Sequence, residues 1–121
     1  MIPNEQLLHA AYQYFNSRAV DKLLALMTPD VHWPNGWEGG SVQGHREVQE
    51  YWTRQWKDVD PVVTPEAFEQ RADGSVAVRV HQLVKDQGGA MLSDGMVRHV
   101  YTFRDGLIEA MHIEAIQTSM E

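Results

Sequence analysis

Three glycine-containing turns in the second half of the chain constrain its fold more than any other feature. They lie in the segments ADGSV, KDQGGAM and RDGLI, and the flanking residues alternate between apolar and polar side chains. Asp-Gly and Gly-Gly pairs readily adopt the left-handed backbone angles of tight hairpins, and alternation is typical of strands with one buried face. From Val62 onward, the sequence therefore predicts four antiparallel strands joined by three hairpins.

The first half of the chain has helical spacing instead. A first helix, with Asn4 as its predicted cap, has residues spaced by threes and fours along one side. These residues are Leu7, Leu8, Ala11, Tyr14, Phe15 and Arg18. A short second helix is predicted in AVDKLLALM, and a third in HREVQEYWTRQWKDV, where Trp52 and Trp56 share one face. Between these two helices, VHWPNGWEGGSVQG predicts a short strand that runs into a loop.

Helices followed by a meandering antiparallel sheet predict an α+β domain, in which a curved sheet wraps around one long N-terminal helix. A chain of 121 residues fits one domain with one core. Valines occur on both faces of the segment VAVRVHQLV, so the outer face also needs a cover. The simplest cover is the same surface of a second copy, and we expect a homodimer.

Composition excludes several classes of function. The formal charge is −7 without any basic run, so nucleic acid and anionic membranes are not expected as partners. The sequence has no cysteine, which excludes disulfides and thiolate metal sites and favours the cytoplasm. The six histidines lack the spacing of metal ligands, and we expect neither a metal nor another cofactor. No signal peptide or membrane-spanning segment is expected either.

The segment HWPNGWEGG gathers two tryptophans into a surface turn, where bulky aromatic side chains usually have no role. We interpret this turn as part of a pocket rim, with Trp33 facing inward beside Asn35 and Trp37 over the entrance. The pocket is predicted to be apolar and to bind a flat cyclic or aromatic small molecule. Its substrate-binding residues are predicted to be Tyr14, Trp33, Trp37, Trp52, Trp56 and Phe103.

Polar residues on two predicted strands indicate acid/base chemistry. Arg79 and His81 are two residues apart, so both project from one face of their strand. His99 is predicted to meet His81 across the neighbouring strand, and Tyr101 adds a phenol two positions along. Together with Asn35, this set is predicted to bind and deprotonate a carbonyl compound, and Arg79 would stabilise the negative charge.

Each of these residues also has a purely structural interpretation. His81 and His99 would then be satisfied core histidines, and Arg79 an ion-pair partner. Asn35 would form only an Asx turn before the following glycine. Trp52 and Trp56, for their part, would only pack in the core.

The order of these segments resembles a known family. The first two helices precede PDVHWPNGWEGGSVQGHREVQEYW, GSVAVRVHQLV and HVYTFRDGLIEAMHIEAI. This order is similar to the polyketide cyclase, or SnoaL-like, branch of the nuclear transport factor 2-like superfamily, which includes ketosteroid isomerase and limonene epoxide hydrolase. The resemblance implies one SnoaL-like domain over residues 1–121, folded as a cone-shaped, cystatin-like α+β roll with a deep pocket. It also implies a dimer through the outer face of the sheet.

The resemblance suggests roles for particular residues. In an ungapped alignment with ketosteroid isomerase, the aspartate base falls at Asn35, the oxyanion-binding tyrosine at Ala11 and the oxyanion-binding acid at His99. Tyr14, one turn beyond Ala11, is expected to supply the missing phenol. Against limonene epoxide hydrolase, the water-holding asparagine again falls at Asn35, and its Arg-x-Asp pair resembles Arg79-Val80-His81.

The sequence therefore predicts a cofactor-independent acid/base enzyme of the isomerase, cyclase or hydrolase type, acting on a flat cyclic or aromatic carbonyl compound. Two alternatives are a non-catalytic small-molecule binder with the same pocket and a dimeric interaction module filled by its own side chains.

Overall fold

A computed structural model describes residues 4–35 and 38–115. The helices are α1 (Glu5–Asn16), α2 (Val20–Leu24) and α3 (Gly44–Asp58). The strands are β1 (Met27–Pro34), β2 (Ser41–Gln43), β3 (Val59–Gln70), β4 (Val76–Asp86), β5 (Met91–Arg104) and β6 (Leu107–Ala115). Within the described ranges, no helix combines the length and the apolar character needed to cross a membrane.

The strands form one curved, six-stranded sheet in the order β2-β1-β6-β5-β4-β3. Strands β3 to β6 pair antiparallel in sequence order, which confirms the four hairpin-linked strands. Strand β1 pairs in parallel with β6, and β2 adds to its other edge. The predicted α+β class with a curved sheet is therefore confirmed, and the first half of the chain contributes two of its strands.

The β4–β5 hairpin shows how a turn sequence sets its geometry. The Asp86 carboxylate accepts hydrogen bonds from the backbone N–H groups of Gly88 and Ala90, both at 2.9 Å. Gly89 has φ +93°, a left-handed conformation that is costly for residues with a Cβ. The Asp and Gly residues of KDQGGAM therefore form this turn by local chemistry alone.

The start of the first helix agrees with the prediction, whereas the end of the second does not. Asn4 is the N-cap residue of α1, as predicted, but with φ 68° its side chain makes no capping hydrogen bond. Helix α2 ends at Leu24, although the predicted segment continues to Met27. The chain leaves the helix because it joins the sheet: the Leu26 carbonyl accepts a hydrogen bond from the Ile108 N–H at 2.8 Å.

The main core lies between the inner face of the sheet and the helices. Buried residues recur on α1 and α3 at helical spacing and on β4 at alternate positions. They include Leu8, Ala11 and Tyr12 of α1, Val48, Tyr51 and Trp52 of α3, and Val76, Val78 and Val80 of β4. This arrangement brings α1 against the middle of the sheet, where the candidate site lies.

Candidate functional site

The pairing of β4 with β5 decides which polar residues face the interior. Val78 lies opposite His99, and Val76 lies opposite Tyr101. Directly opposite residues share a face, and both valines are fully buried, so His99 and Tyr101 also face the core. The side of β5 that carries His99 and Tyr101 is therefore interior.

The same register places Arg79 and His81 on the outer face of the sheet. Arg79 lies opposite Arg98 and is exposed, while His81 lies opposite Met96 and contacts Asp94 through Nε2 at 2.5 Å. The prediction that His81 meets His99 and that Arg79 joins them is therefore wrong. The physical reason is that the alternate valines of β4 take the buried positions, which turns the arginine and the histidine toward solvent.

A hydrogen-bonded chain of three side chains lies in the interior. The Tyr101 hydroxyl donates to the Tyr12 hydroxyl at 2.8 Å, and the Tyr12 hydroxyl lies 2.8 Å from Nδ1 of His99. Since the Tyr12 hydroxyl oxygen accepts a hydrogen bond from Tyr101, its own hydrogen is free to point at Nδ1. This direction leaves the ring proton of His99 on Nε2.

Burial keeps all three groups uncharged near neutral pH. Desolvation lowers the pKa of His99 to about 4. It also raises the pKa of the Tyr101 hydroxyl, and burial together with the neighbouring Tyr101 raises the pKa of Tyr12 well above its ordinary range. The hydrogen-bonded chain of Tyr101, Tyr12 and His99 is therefore a neutral network inside an apolar core.

This arrangement changes the chemistry expected of His99. Its Nδ1 accepts the Tyr12 hydrogen bond and its Nε2 carries the proton, so neither nitrogen has a free lone pair to act as a base. Among the described residues, no side chain forms a hydrogen bond with Nε2. Nε2 is also absent from the fully buried polar atoms that lack a partner, so it keeps some exposure to solvent. Since 7% of His99 is exposed, its Nε2–H group is a neutral hydrogen-bond donor at the edge of the buried core.

Tyr12 is not among the site residues predicted from the sequence. Leu8, Ala11 and Tyr12 lie at positions i, i+3 and i+4 and are all buried, so helical spacing could have identified it. The predicted Tyr14 lies on another side of α1, half-buried, with the Lys22 ammonium 5.9 Å from its ring. Within the described residues, the phenol that meets His99 is therefore that of Tyr12.

The predicted aromatic side chains form a packed cluster. Trp52 is only 1% exposed and has edge contacts with Trp33 at 5.7 Å and with Phe15 at 5.9 Å between ring centroids. Trp56 stacks on Trp52 at 5.8 Å and is half-buried. The structure thus places Trp52 in the core, in agreement with its structural interpretation.

Two further aromatic residues flank the network. Trp33 is half-buried, and its ring centroid lies 6.3 Å from that of Tyr101. Phe103 is half-buried and packs against the core from β5. Trp37, predicted at the entrance, lies outside the described residues.

Asn35 is buried and holds the loop after β1. Its Nδ2 donates to Glu38 Oε1 at 2.9 Å, and its Oδ1 accepts from the Glu38 N–H at 2.7 Å. Glu38 also receives two hydrogen bonds from Arg54 of α3, at 3.1 and 2.9 Å. These contacts link Asn35 to α3 through Glu38.

The deep pocket predicted from the sequence has no counterpart in the two hollows found on the described surface. One hollow, of about 480 Å³, is lined by Arg46, Gln49, Glu50, Thr53 and Arg54. The other, of about 470 Å³, lies around residues 18–22 and Gln49. Neither hollow includes His99. Within the part of the chain that the structure describes, no group of three histidine or acidic side chains could hold a metal ion.

Comparison with known proteins identifies the family. The model of the SnoaL-like domain matches residues 8–111. The chain belongs to the SnoaL-like domain family. The predicted resemblance is thereby confirmed, while no curated protein matches the chain.

Solved structures share the fold over nearly the whole chain. TerC, co-crystallised with polyporic acid, is 26% identical, with a TM-score of 0.81 over 94% of this chain and 92% of TerC. A Mycobacterium tuberculosis protein in complex with estradiol-17beta-hemisuccinate is 19% identical, with a TM-score of 0.78 over 92% of each chain. The epoxide hydrolase/cyclase-like enzyme SalBIII is 17% identical, with a TM-score of 0.77 over 91% of this chain and 88% of SalBIII. The last two likenesses concern the fold alone.

Proposed function

We propose that this SnoaL-like protein binds a flat, largely apolar small molecule whose carbonyl or enol oxygen accepts a hydrogen bond from Nε2–H of His99. The observation that carries the proposal is the chain Tyr101–Tyr12–His99, which fixes the tautomer and presents one neutral donor in an apolar interior. A donor of this kind fits an uncharged oxygen in the bound ground state, because the network contains no cationic side chain to balance the full charge of a bound anion. The small-molecule complexes of two proteins with the same fold support a small-molecule ligand.

The proposal predicts that Tyr12→Phe weakens ligand binding about tenfold, the effect of losing one hydrogen bond in the network. Without the Tyr12 hydroxyl, Nδ1 of His99 loses its donor and the ring no longer has one fixed tautomer. Binding of estrone, 1,4-naphthoquinone and 2-phenyl-1,4-naphthoquinone, which are uncharged at pH 7, is measured at that pH by quenching of tryptophan fluorescence. Saturable quenching by at least one of them is expected in the wild type.

Tyr14→Phe is the matched control, because Tyr14 is on the same helix but outside the network. It is expected to leave the dissociation constant unchanged. Equal losses in both variants, or no binding of any of the three compounds, would contradict the proposal.

A second candidate is catalysis by the same contact, as the sequence predicts for an isomerase, cyclase or hydrolase. The hydrogen-bond chain favours it, since a donor at a carbonyl oxygen also stabilises the enolate that forms after proton loss. Catalysis additionally needs a base, and the buried polar side chains of the described interior include no carboxylate. Exchange of α-protons of a bound ketone in deuterium oxide, lost in His99→Leu, would distinguish catalysis from binding.

We further propose that a second copy covers the outer face of the sheet. Val62 and Met91 are 38% and 59% exposed there, and Arg79 faces Arg98 with no described ion-pair partner of its own. We expect sedimentation at micromolar concentration to show a dimer, and Val62→Glu with Met91→Glu to give a monomer. A wild-type protein that sediments as a monomer would refute this proposal.

A further inference from the structure

Ile113 is exposed although it lies on the inner face of the sheet. It pairs directly with His99, just as the buried Met111 pairs with Tyr101. Yet 41% of Ile113 is exposed, compared with 7% of His99. The inner face of β6 therefore reaches the surface at Ile113, next to the imidazole.

The opposite end of the same row is less exposed. Phe68 pairs with Val78, and Val78 pairs with His99, so one row of inner-face residues runs across four strands from Phe68 to Ile113. Phe68 is partly buried, and the ring of His9, from α1, lies 4.6 Å from its ring between centroids. Val78 is fully buried. Within the described residues, the more exposed end of this row is therefore the Ile113 end.

We propose that Ile113 is a specificity-determining residue, over which a ligand passes to reach His99 and whose size limits the width of the ring system that fits. The inference rests on the proposed function. Directly opposed residues have Cβ atoms about 4.5–5.5 Å apart, so a group held at Nε2 of His99 contacts the side chain of Ile113. The aliphatic side chain of Ile113 therefore favours ligands that have an apolar ring beside the oxygen bonded to His99.

The first test measures access to His99 without any ligand. In isotopically labelled protein, relaxation of the His99 Cε1–H signal by a soluble nitroxide reports how closely solvent-borne molecules approach the ring. Ile113→Ala is expected to increase this relaxation, and Ile113→Trp to decrease it. Leu92→Ala is the control, because Leu92 is 57% exposed but lies about 23 Å from His99 along β5. Unchanged relaxation in both Ile113 variants would overturn the proposal.

The second test compares two ligands that differ only in width. The probes are 1,4-naphthoquinone and its 2-phenyl derivative, which share the same pair of uncharged quinone carbonyls. Ile113→Ala is expected to favour the phenyl derivative by about tenfold relative to the smaller probe, because a pocket discriminates added carbon groups by this order of magnitude. Ile113→Trp is expected to have the opposite effect.

The two tests separate the failures of the two proposals. Changed access with an unchanged preference between the probes would overturn the role of Ile113 in specificity. If neither probe binds the wild type, the proposed function fails, and relaxation of the His99 signal alone then decides whether Ile113 forms the wall between His99 and solvent.

Discussion

Replacing Trp52 with alanine is expected to lower the free energy of unfolding by about 3–5 kcal/mol. The side chain is 1% exposed and contacts the rings of Trp33, Phe15 and Trp56, so its removal leaves a cavity among aromatic groups that cannot all move inward. Chemical denaturation followed by far-ultraviolet circular dichroism measures this loss.

Trp56→Ala is the matched control for this prediction. Trp56 lies one turn later on α3 and is half-buried, so its removal is expected to cost clearly less than that of Trp52. A cost below about 1 kcal/mol for Trp52→Ala would contradict core packing and would favour an open pocket lined by this ring.

Acidification is expected to destabilise the protein through His99 by about 3 kcal/mol between pH 7 and pH 4. Burial lowers the pKa of His99 from the ordinary 6.5 to about 4, so the unfolded chain binds a proton before the folded protein does. The contribution is therefore complete above about pH 6.5 and is lost as the pH falls toward 4. Denaturant titrations at several pH values measure it.

His99→Gln tests this assignment. The glutamine carbonyl can still accept a hydrogen bond from Tyr12, but the side chain does not titrate. The variant is expected to lose most of the wild-type change in unfolding free energy between pH 7 and pH 5. This range lies above the one in which carboxylates such as Glu114 take up protons, since Arg71 lowers the pKa of Glu114 to about 2. His32→Gln, at an exposed position on β1, should keep the wild-type slope. If His99→Gln keeps that slope as well, His99 does not remain neutral in the folded protein.

The position of Arg79 has a consequence for ligand charge. The prediction from the sequence places Arg79, a permanent cation, beside the histidines. A cation there would favour an anionic ligand or intermediate. In the structure, Arg79 is on the outer face, and the described network contains only neutral groups. The site is consequently better suited to a neutral carbonyl than to a carboxylate.

Alternation within a strand was predictable, whereas the register between paired strands was not. The sequence separates Arg79 and His81 from the valines of β4, and His99 and Tyr101 from Val100 of β5, since successive side chains point to opposite faces. It does not show which face of β4 adjoins which face of β5. That choice depends on the turn and on a bulge beside Val84 and Lys85, and a shift of one residue reverses it.

The amino-acid sequence alone determined the α+β class, the three hairpins, the helical first half and the family, because these follow from periodicity, turn chemistry and local motifs. Only the tertiary structure decided that Tyr12 reaches His99, 87 positions along the chain, and that Ile113, which pairs with His99, is 41% exposed. The physical reason is that hydrogen bonds between α1 and β5, and burial of one face of a sheet, depend on long-range packing that local spacing does not encode.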